Sequence, residues 1–303
     1  MYRSRFRRIV GSLLLLALGA CDARDTPDAP RADVVVDRDD YGNVVESGST
    51  TNPARIISLN PATTELLFAL GAGGRLVGRT HWDLYPDSAR LVPDLGPGIR
   101  PDVEALLTRK PDLVVLYGSE DNRAAAQRLA AFGVKVVALK LDRIDDFRRA
   151  ARLLGRATGL GDRARTVIDT VDATLARVRQ ATDTLPDVPV FWHIWDNPLI
   201  TIGSGSFMTE LVAISGGRNV YADDAKPSPQ ITLEDVVRRD PAVVLAGPVG
   251  ARLIRRTPAW SAVPAVRAGR VLIVDTMLVS RASVRLGEAA VSLATLLHPG
   301  LKP

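Results

Sequence analysis

Six short, mostly apolar runs recur between longer amphipathic stretches: 55–59, 112–117, 134–138, 188–194, 242–246 and 270–274. Runs of that length without polar alternation read as strands covered on both faces. Parallel neighbours need crossover helices, so the pattern specifies an α/β fold. Between the third and fourth runs lies a helical pattern over 161–184, with Val167, Ile168, Val171, Leu175 and Val178 at helical spacing. Gly161 and Pro186 bound it. At ~1.5 Å per residue it makes a rod of roughly 35 Å, able to join two lobes with little bending.

Two short blocks repeat in the same order. Thr64-Glu65-Leu66-Leu67 precedes Gly71 as Thr209-Glu210-Leu211-Val212 precedes Gly216. Glu104 stands seven residues before Pro111, and Glu234 seven before Pro241, each proline leading into a strand run. The conserved order indicates a duplicated architecture, with residues 33–160 as one lobe and 185–300 as the other.

The 303 residues carry 39 basic and 34 acidic side chains. Arg3, Arg5, Arg7 and Arg8 lie in the first twenty residues, which hold no acid; without them the balance is 35 against 34. The basic excess belongs to this segment, so no nucleic-acid face is indicated. Residues 9–20 are an apolar run of about 12 residues, short of the ~20 that span a bilayer. A basic start followed by such a run is a secretory signal over 1–20. It ends in Leu18-Gly19-Ala20-Cys21, which resembles the bacterial lipobox and implies a lipidated Cys21; ordinary secretion with cleavage nearby is the alternative. Cys21 is the only cysteine, so disulfides and thiolate metal sites are not expected in the folded part. Residues 21–32 read as a flexible tether. Valine-rich runs around Asp40-Tyr41-Gly42-Asn43 predict a hairpin, and Asp37, Asp39 and Asp40 lack the full spacing of a calcium loop.

The strongest motif is Arg55-Ile-Ile-Ser-Leu-Asn-Pro-Ala-Thr-Thr-Glu-Leu-Leu-Phe-Ala-Leu-Gly71. Leu76-Val77-Gly78, Tyr85-Pro86, the blocks starting at Pro101 and Lys110, Gly216-Gly217-Arg218-Asn219-Val220 and Arg281-Ala282-Ser283 follow in order. Together they resemble the Fe/cobalamin periplasmic-binding domain over about residues 33–300. The resemblance runs to its cobalamin-binding branch above all. It implies two Rossmann-like lobes, each a mostly parallel sheet with flanking helices, joined by one backbone helix, with a ligand cleft between them. It also implies a substrate-binding protein of an ABC importer, lipid-anchored in the cell envelope. Such a protein is a monomer that delivers cobalamin to a dimeric permease and its ATPase. Ferric siderophore and haem are the alternative ligands. No cofactor is expected apart from such a metal-containing ligand.

Ligands of parallel α/β sheets sit beyond the carboxyl ends of the strands. Asn60 and Pro61 follow the first run, where Asn60 is either a helix cap alone or also a cleft residue. Tyr117 ends the second run, and Trp195 follows the fourth. In cobalamin-binding relatives an aromatic at the place of Trp82 touches the ligand. Three of the four tryptophans, Trp82, Trp192 and Trp195, thus fall in segments expected at the cleft. Such rings suit a corrin or porphyrin plane, with core packing as the alternative, foremost for Trp192. Relatives carry tryptophans near Gly98 and Ser228, which points to a more open pocket here.

His81, beside Trp82, is expected among the ligand-binding residues. His81 and His193 are expected on opposite lobes, where they could ligate a metal or cap a haem, but their spacings to Asp83 and Asp196 are weak metal signals, so no metal site is assigned. Gly203-Ser204-Gly205-Ser206 precedes a helix and offers either an anion nest or a cap. Arg281 and Arg285 either meet ligand groups or form a solvated helix face. The resemblance implies that Glu104 and Glu234, one per lobe, meet permease arginines; a favourable place at a helix start is the bland alternative. No G-x-S-x-G, H-E-x-x-H or P-loop occurs in the sequence, so an enzyme is not expected. A tethered sensor or partner-binding module is the remaining rival.

Overall fold

Each apolar run forms a strand in the computed structural model, which describes residues 37–45 and 52–303. The first half runs β1 (Ile56–Ser58), α1 (Pro61–Leu70), β2 (Leu76–Gly78), α2 (Val103–Thr108), β3 (Leu113–Tyr117), α3 (Glu120–Ala131), β4 (Lys135–Leu139) and α4 (Ile144–Thr158). The long helix follows as α5 (Gly161–Thr182). The second half runs β5 (Val188–His193), β6 (Trp195–Asp196), β7 (Leu199–Ile200), α6 (Phe207–Ile214), β8 (Gly217–Asn219), α7 (Leu233–Arg239) and β9 (Val243–Ala246). It closes with α8 (Pro248–Arg256), α9 (Pro264–Arg267), β10 (Val271–Ile273), α10 (Thr276–Val279) and α11 (Leu286–Leu297).

The two main sheets are wholly parallel, with orders β2-β1-β3-β4 and β8-β5-β9-β10. Ranked within its own half, each reads 2-1-3-4. The repeated blocks land at matching places. Glu65 lies on α1 and Glu210 on α6, the helix between the first and second strands of each sheet. Glu104 lies on α2 and Glu234 on α7, between the second and third. The duplication read from the sequence is therefore a duplication of topology.

Helix α5 is 22 residues long and buries Ala164, Val171, Leu175, Val178 and Thr182 along one stripe. The stripe packs mainly on α4 and α11, and also touches α1 and α6. One apolar core consequently runs from Ile56 and Leu113 of the first sheet, through α5, to Val190 and Leu245 of the second. Gly155 lets α4 approach closely, since a Cβ there would stand 2.6 Å from that of Ala164. Smaller clusters cover the outer face of each sheet.

The hairpin is present around Asp39–Gly42, where Arg38 bridges Val44 in antiparallel fashion. All three acids of that turn are engaged. Asp37 pairs with Arg156 and Asp40 with Arg149, while Asp39 accepts from the backbone of Tyr41, Asn43 and Ala138. The signal over 1–20, Cys21, the tether over 21–32 and the whole of the first valine run, 34–36, lie outside the described residues. No helix among the described residues is long and apolar enough to cross a membrane.

Leu175→Ala should cost about 2–4 kcal/mol through cavity formation in the shared core. Denaturant unfolding followed by tryptophan fluorescence and by circular dichroism should give one coincident transition at a lower midpoint. Separated transitions would show that the lobes do not share a core.

Candidate ligand-binding cleft

In a 2-1-3-4 sheet the chain leaves the first strand on one side and returns on the other. A crevice opens beyond the ends of strands one and three. Asn60 and Tyr117 stand there in the first lobe, Trp195 and Gly247 in the second. A cavity of about 520 Å³ is walled by Asn60, Pro61, Trp82, Tyr117, Asp142 and Arg281, among others. A second, of about 450 Å³, is walled by Trp192, His193, Trp195, Asp196, Val249 and Gly250, among others. Both include Thr276 and Ser280 of the α10 segment, so the cavities adjoin there; the first is lined from both lobes and the second from the second lobe.

Asn60 does both things the sequence left open. Its Oδ1 accepts from Ala62 N at 2.8 Å, capping α1, and the residue lines the cavity. Pro61 fills the first helical position, where a missing N–H is harmless. The Tyr117 hydroxyl donates to Asp142 Oδ1 at 2.8 Å. Burial, then Asp142, pushes its pKa well up, so it remains a neutral phenol.

The Trp82 ring is left 57% exposed while its backbone is held on both sides. Asp83 is buried and accepts from Thr64 Oγ1 on α1 and from Thr80. Trp82 N donates to Thr80 Oγ1, and its carbonyl accepts from Arg281 at 2.7 Å. Burial pushes the Asp83 pKa up, with the Thr64 and Thr80 hydrogen bonds opposing. Trp195 is 61% exposed and sits on the β6–β7 hairpin, its indole N–H held by the Asn197 carbonyl. Trp192, by contrast, is a core residue at the base of the second cavity.

Two ion pairs cross between lobes at equivalent places. Arg281, after the last strand of the second sheet, donates to Glu65 Oε1 at 2.9 Å, and Ser283 Oγ lies 2.6 Å from Glu65 Oε2. Arg143, after the last strand of the first sheet, reaches Glu210 by charge contact and donates to the Ser204 carbonyl. The repeated Thr-Glu-Leu glutamates are thus both interlobe residues, a role the sequence did not reveal. Burial raises the Glu65 pKa, against the pull of Ser283 and Arg281.

Several expected residues are placed differently. Arg281 reaches the cavity wall, but its guanidinium is committed to Glu65 and Trp82. Arg285 lies over the Tyr85 ring at 4.3 Å instead of facing a ligand. His81 is exposed and packs edge-on against Trp82 at 4.4 Å, outside the lining of either cavity. The Gly203–Ser206 turn is structural: Ser206 caps α6, and the Gly203 and Ser204 N–H groups go to the Pro227 and Asp224 carbonyls. Gly98 has φ +80°, and a Cβ there would meet Leu59 O at 2.5 Å, so no tryptophan fits this backbone. Among the described residues, no three His, Cys, Asp or Glu side chains converge on a metal position. Glu104 and Glu234 are exposed in the first turns of α2 and α7. Each helix leads back into the strand after it, β3 or β9, so its first turn lies toward the carboxyl ends of the parallel strands.

Two equivalent parallel sheets, one connecting helix and a cleft walled from both sides define a two-lobed solute-binding protein. A periplasmic binding protein family model matches residues 56–277. The chain belongs to that family. It is 29% identical over 255 residues to an uncharacterised ABC transporter substrate-binding lipoprotein, YvrC, of Bacillus subtilis, covering 82% of this chain and 81% of that one. It is 26% identical over 253 residues to the vitamin B12-binding protein of Pectobacterium carotovorum, covering 82% and 91%. The fold is shared with the periplasmic heme-binding protein RhuT from Roseiflexus, at a TM-score of 0.74 and 24% identity, over 80% of this chain and 97% of that chain.

Because the folded pKa of Glu65 is raised above its ordinary 4.5, folding favours the protonated acid. That contribution is fully present below about pH 4.5 and is lost as pH rises through the folded value. Glu65→Gln removes the linkage. The stability difference, wild type minus variant, should therefore fall as pH rises from about 4 to about 7. A difference that stays level over that range would contradict this.

Proposed function

We propose that this chain is the lipid-anchored substrate-binding protein of an ABC importer in the cell envelope, and that its ligand is cobalamin or a related corrinoid. One observation carries the ligand reading: two indole rings, Trp82 and Trp195, stand exposed on opposite lobes at the walls of two adjoining cavities. Flat apolar faces left open in this way gain free energy only when a flat apolar ligand covers them. The names of the vitamin B12-binding and lipoprotein relatives support the reading, as does the absence of catalytic motifs in the sequence. Haem is the second reading, favoured by the likeness to RhuT. Tyr117 is engaged with Asp142 through its hydroxyl, a contact that a tyrosinate-held haem would have to replace.

Trp82→Ala and Trp195→Ala should each weaken cyanocobalamin binding by about 1–3 kcal/mol. Thermal stability should fall less than in Trp192→Ala, because Trp192 is core. If both cleft variants unfold instead, the rings are structural and the cleft is misplaced.

Glu104 and Glu234 serve as docking charges for arginines of the two permease subunits, one per lobe. The double change Glu104→Ala with Glu234→Ala should leave ligand affinity intact and abolish uptake, since losing an interfacial charge partner costs about 2–5 kcal/mol. Undiminished docking at physiological salt would reduce them to helix-end residues. For the anchor, Cys21→Ser should stop fatty-acid labelling and leave unprocessed precursor; persistent labelling would remove the lipoprotein assignment.

A further inference from the structure

The second-lobe end of the cleft carries polar groups that no contact described above uses. Helix α8 is nine residues long and opens directly onto it. Its N-cap is Gly247, which offers no side chain, and Pro248 holds the first helical position. The first-turn N–H groups of Val249 and Gly250 have no carbonyl ahead of them in the helix. His193 lies against this turn: a Cβ on Gly250 would stand 2.7 Å from the imidazole Nδ1, so only glycine admits the ring here. The His193 residue is 6% exposed, and its Nε2 has no hydrogen-bond partner. The carboxylate of Asp196 lies 3.6 Å from Nε2, beyond hydrogen-bond length, and lines the same cavity. Trp260 packs edge-on to the imidazole at 5.8 Å and fixes its plane from behind.

A buried ring nitrogen without a partner carries a desolvation penalty that a matching ligand group would remove. The cavity offers donors at the helix end, an acceptor at Asp196 and an unsatisfied nitrogen between them. A carboxylate on the ligand satisfies the helix N–H groups but meets like charge at Asp196. A phosphate meets the same repulsion. A primary carboxamide satisfies all of them, its carbonyl accepting from the helix N–H groups and its two N–H bonds directed to Asp196 and His193. We infer that the first turn of α8, His193 and Asp196 form a carboxamide-reading subsite that selects a ligand edged with neutral amides over one edged with carboxylates. The inference rests on the proposed macrocycle-binding reading and sharpens it, because corrinoids carry amide side arms and haem carries propionates.

The test uses the full chain purified in detergent and titrated with two corrinoid probes, amide-edged dicyanocobinamide and carboxylate-edged dicyanocobyrinic acid. Wild type should bind the first at least about tenfold more tightly. Asp196→Asn should narrow the ratio by about tenfold, chiefly by improving binding of the acid. His193→Gln should weaken the amide probe while thermal unfolding stays cooperative. Equal binding of the two probes by wild type, or a ratio unchanged in Asp196→Asn, would overturn the subsite and leave the macrocycle reading standing. Binding of neither probe would overturn that reading, and the subsite with it.

Discussion

The apolar stripe on α5 is the constraint on which the remaining structure rests. A single helix face is buried in both lobes at once, so the cores of the two lobes are one core. Any hinge between them would have to part that core, at about 25 cal/mol for each Å² of apolar surface exposed. The geometry of the cleft is therefore set by packing made on its far side. Ligand capture in such a frame depends on groups already in place at the cleft walls and on movement of the loops that carry them.

The crossing ion pairs add direction to this frame. Each lobe contributes a glutamate from its first helix and an arginine from beyond its last strand, and each pair spans the interface. The Glu65–Arg281 pair is buried and gives little net stability, because desolvation offsets attraction, while the Glu210–Arg143 pair is partly exposed and weak for want of that burial. Their effect is positional. Arg281 ties Glu65 to the Trp82 carbonyl, and Asp83 ties the same loop to α1. An exposed indole is thus presented on a backbone held by buried carboxylates, both with raised pKa values. Such a loop is more costly than a solvated one, which fits a ring placed for binding.

The strand runs, the linking helix and the duplication were legible because they follow periodicity, which local chemistry imposes. The short strands β2 and β8 were not legible as strands: Leu76-Val77-Gly78 and Gly217-Arg218-Asn219 have too few apolar residues to signal burial. Within the cleft, Asn60, Tyr117 and Trp195 could be placed because they terminate or follow strand runs, a property of position alone. Arg281 lines the wall, yet its guanidinium pairs with Glu65, 216 residues away in sequence, and no local pattern encodes that. His81 was expected at the cleft, but its ring packs edge-on against Trp82 and lines neither cavity, a side-chain placement that strand position does not encode. The first turn of α8 escaped notice because Gly247, Pro248 and Gly250 read as an ordinary helix start.

The central claim is that a flat ligand lies between Trp82 and Trp195, with both lobes contributing walls. A crystal structure of the protein grown with cyanocobalamin tests it most directly. One corrin ring per chain should lie between the lobes, in contact with both indoles, with the two lobes keeping the arrangement imposed by α5. A corrin bound elsewhere, or a cleft left empty at saturating cyanocobalamin, would contradict it.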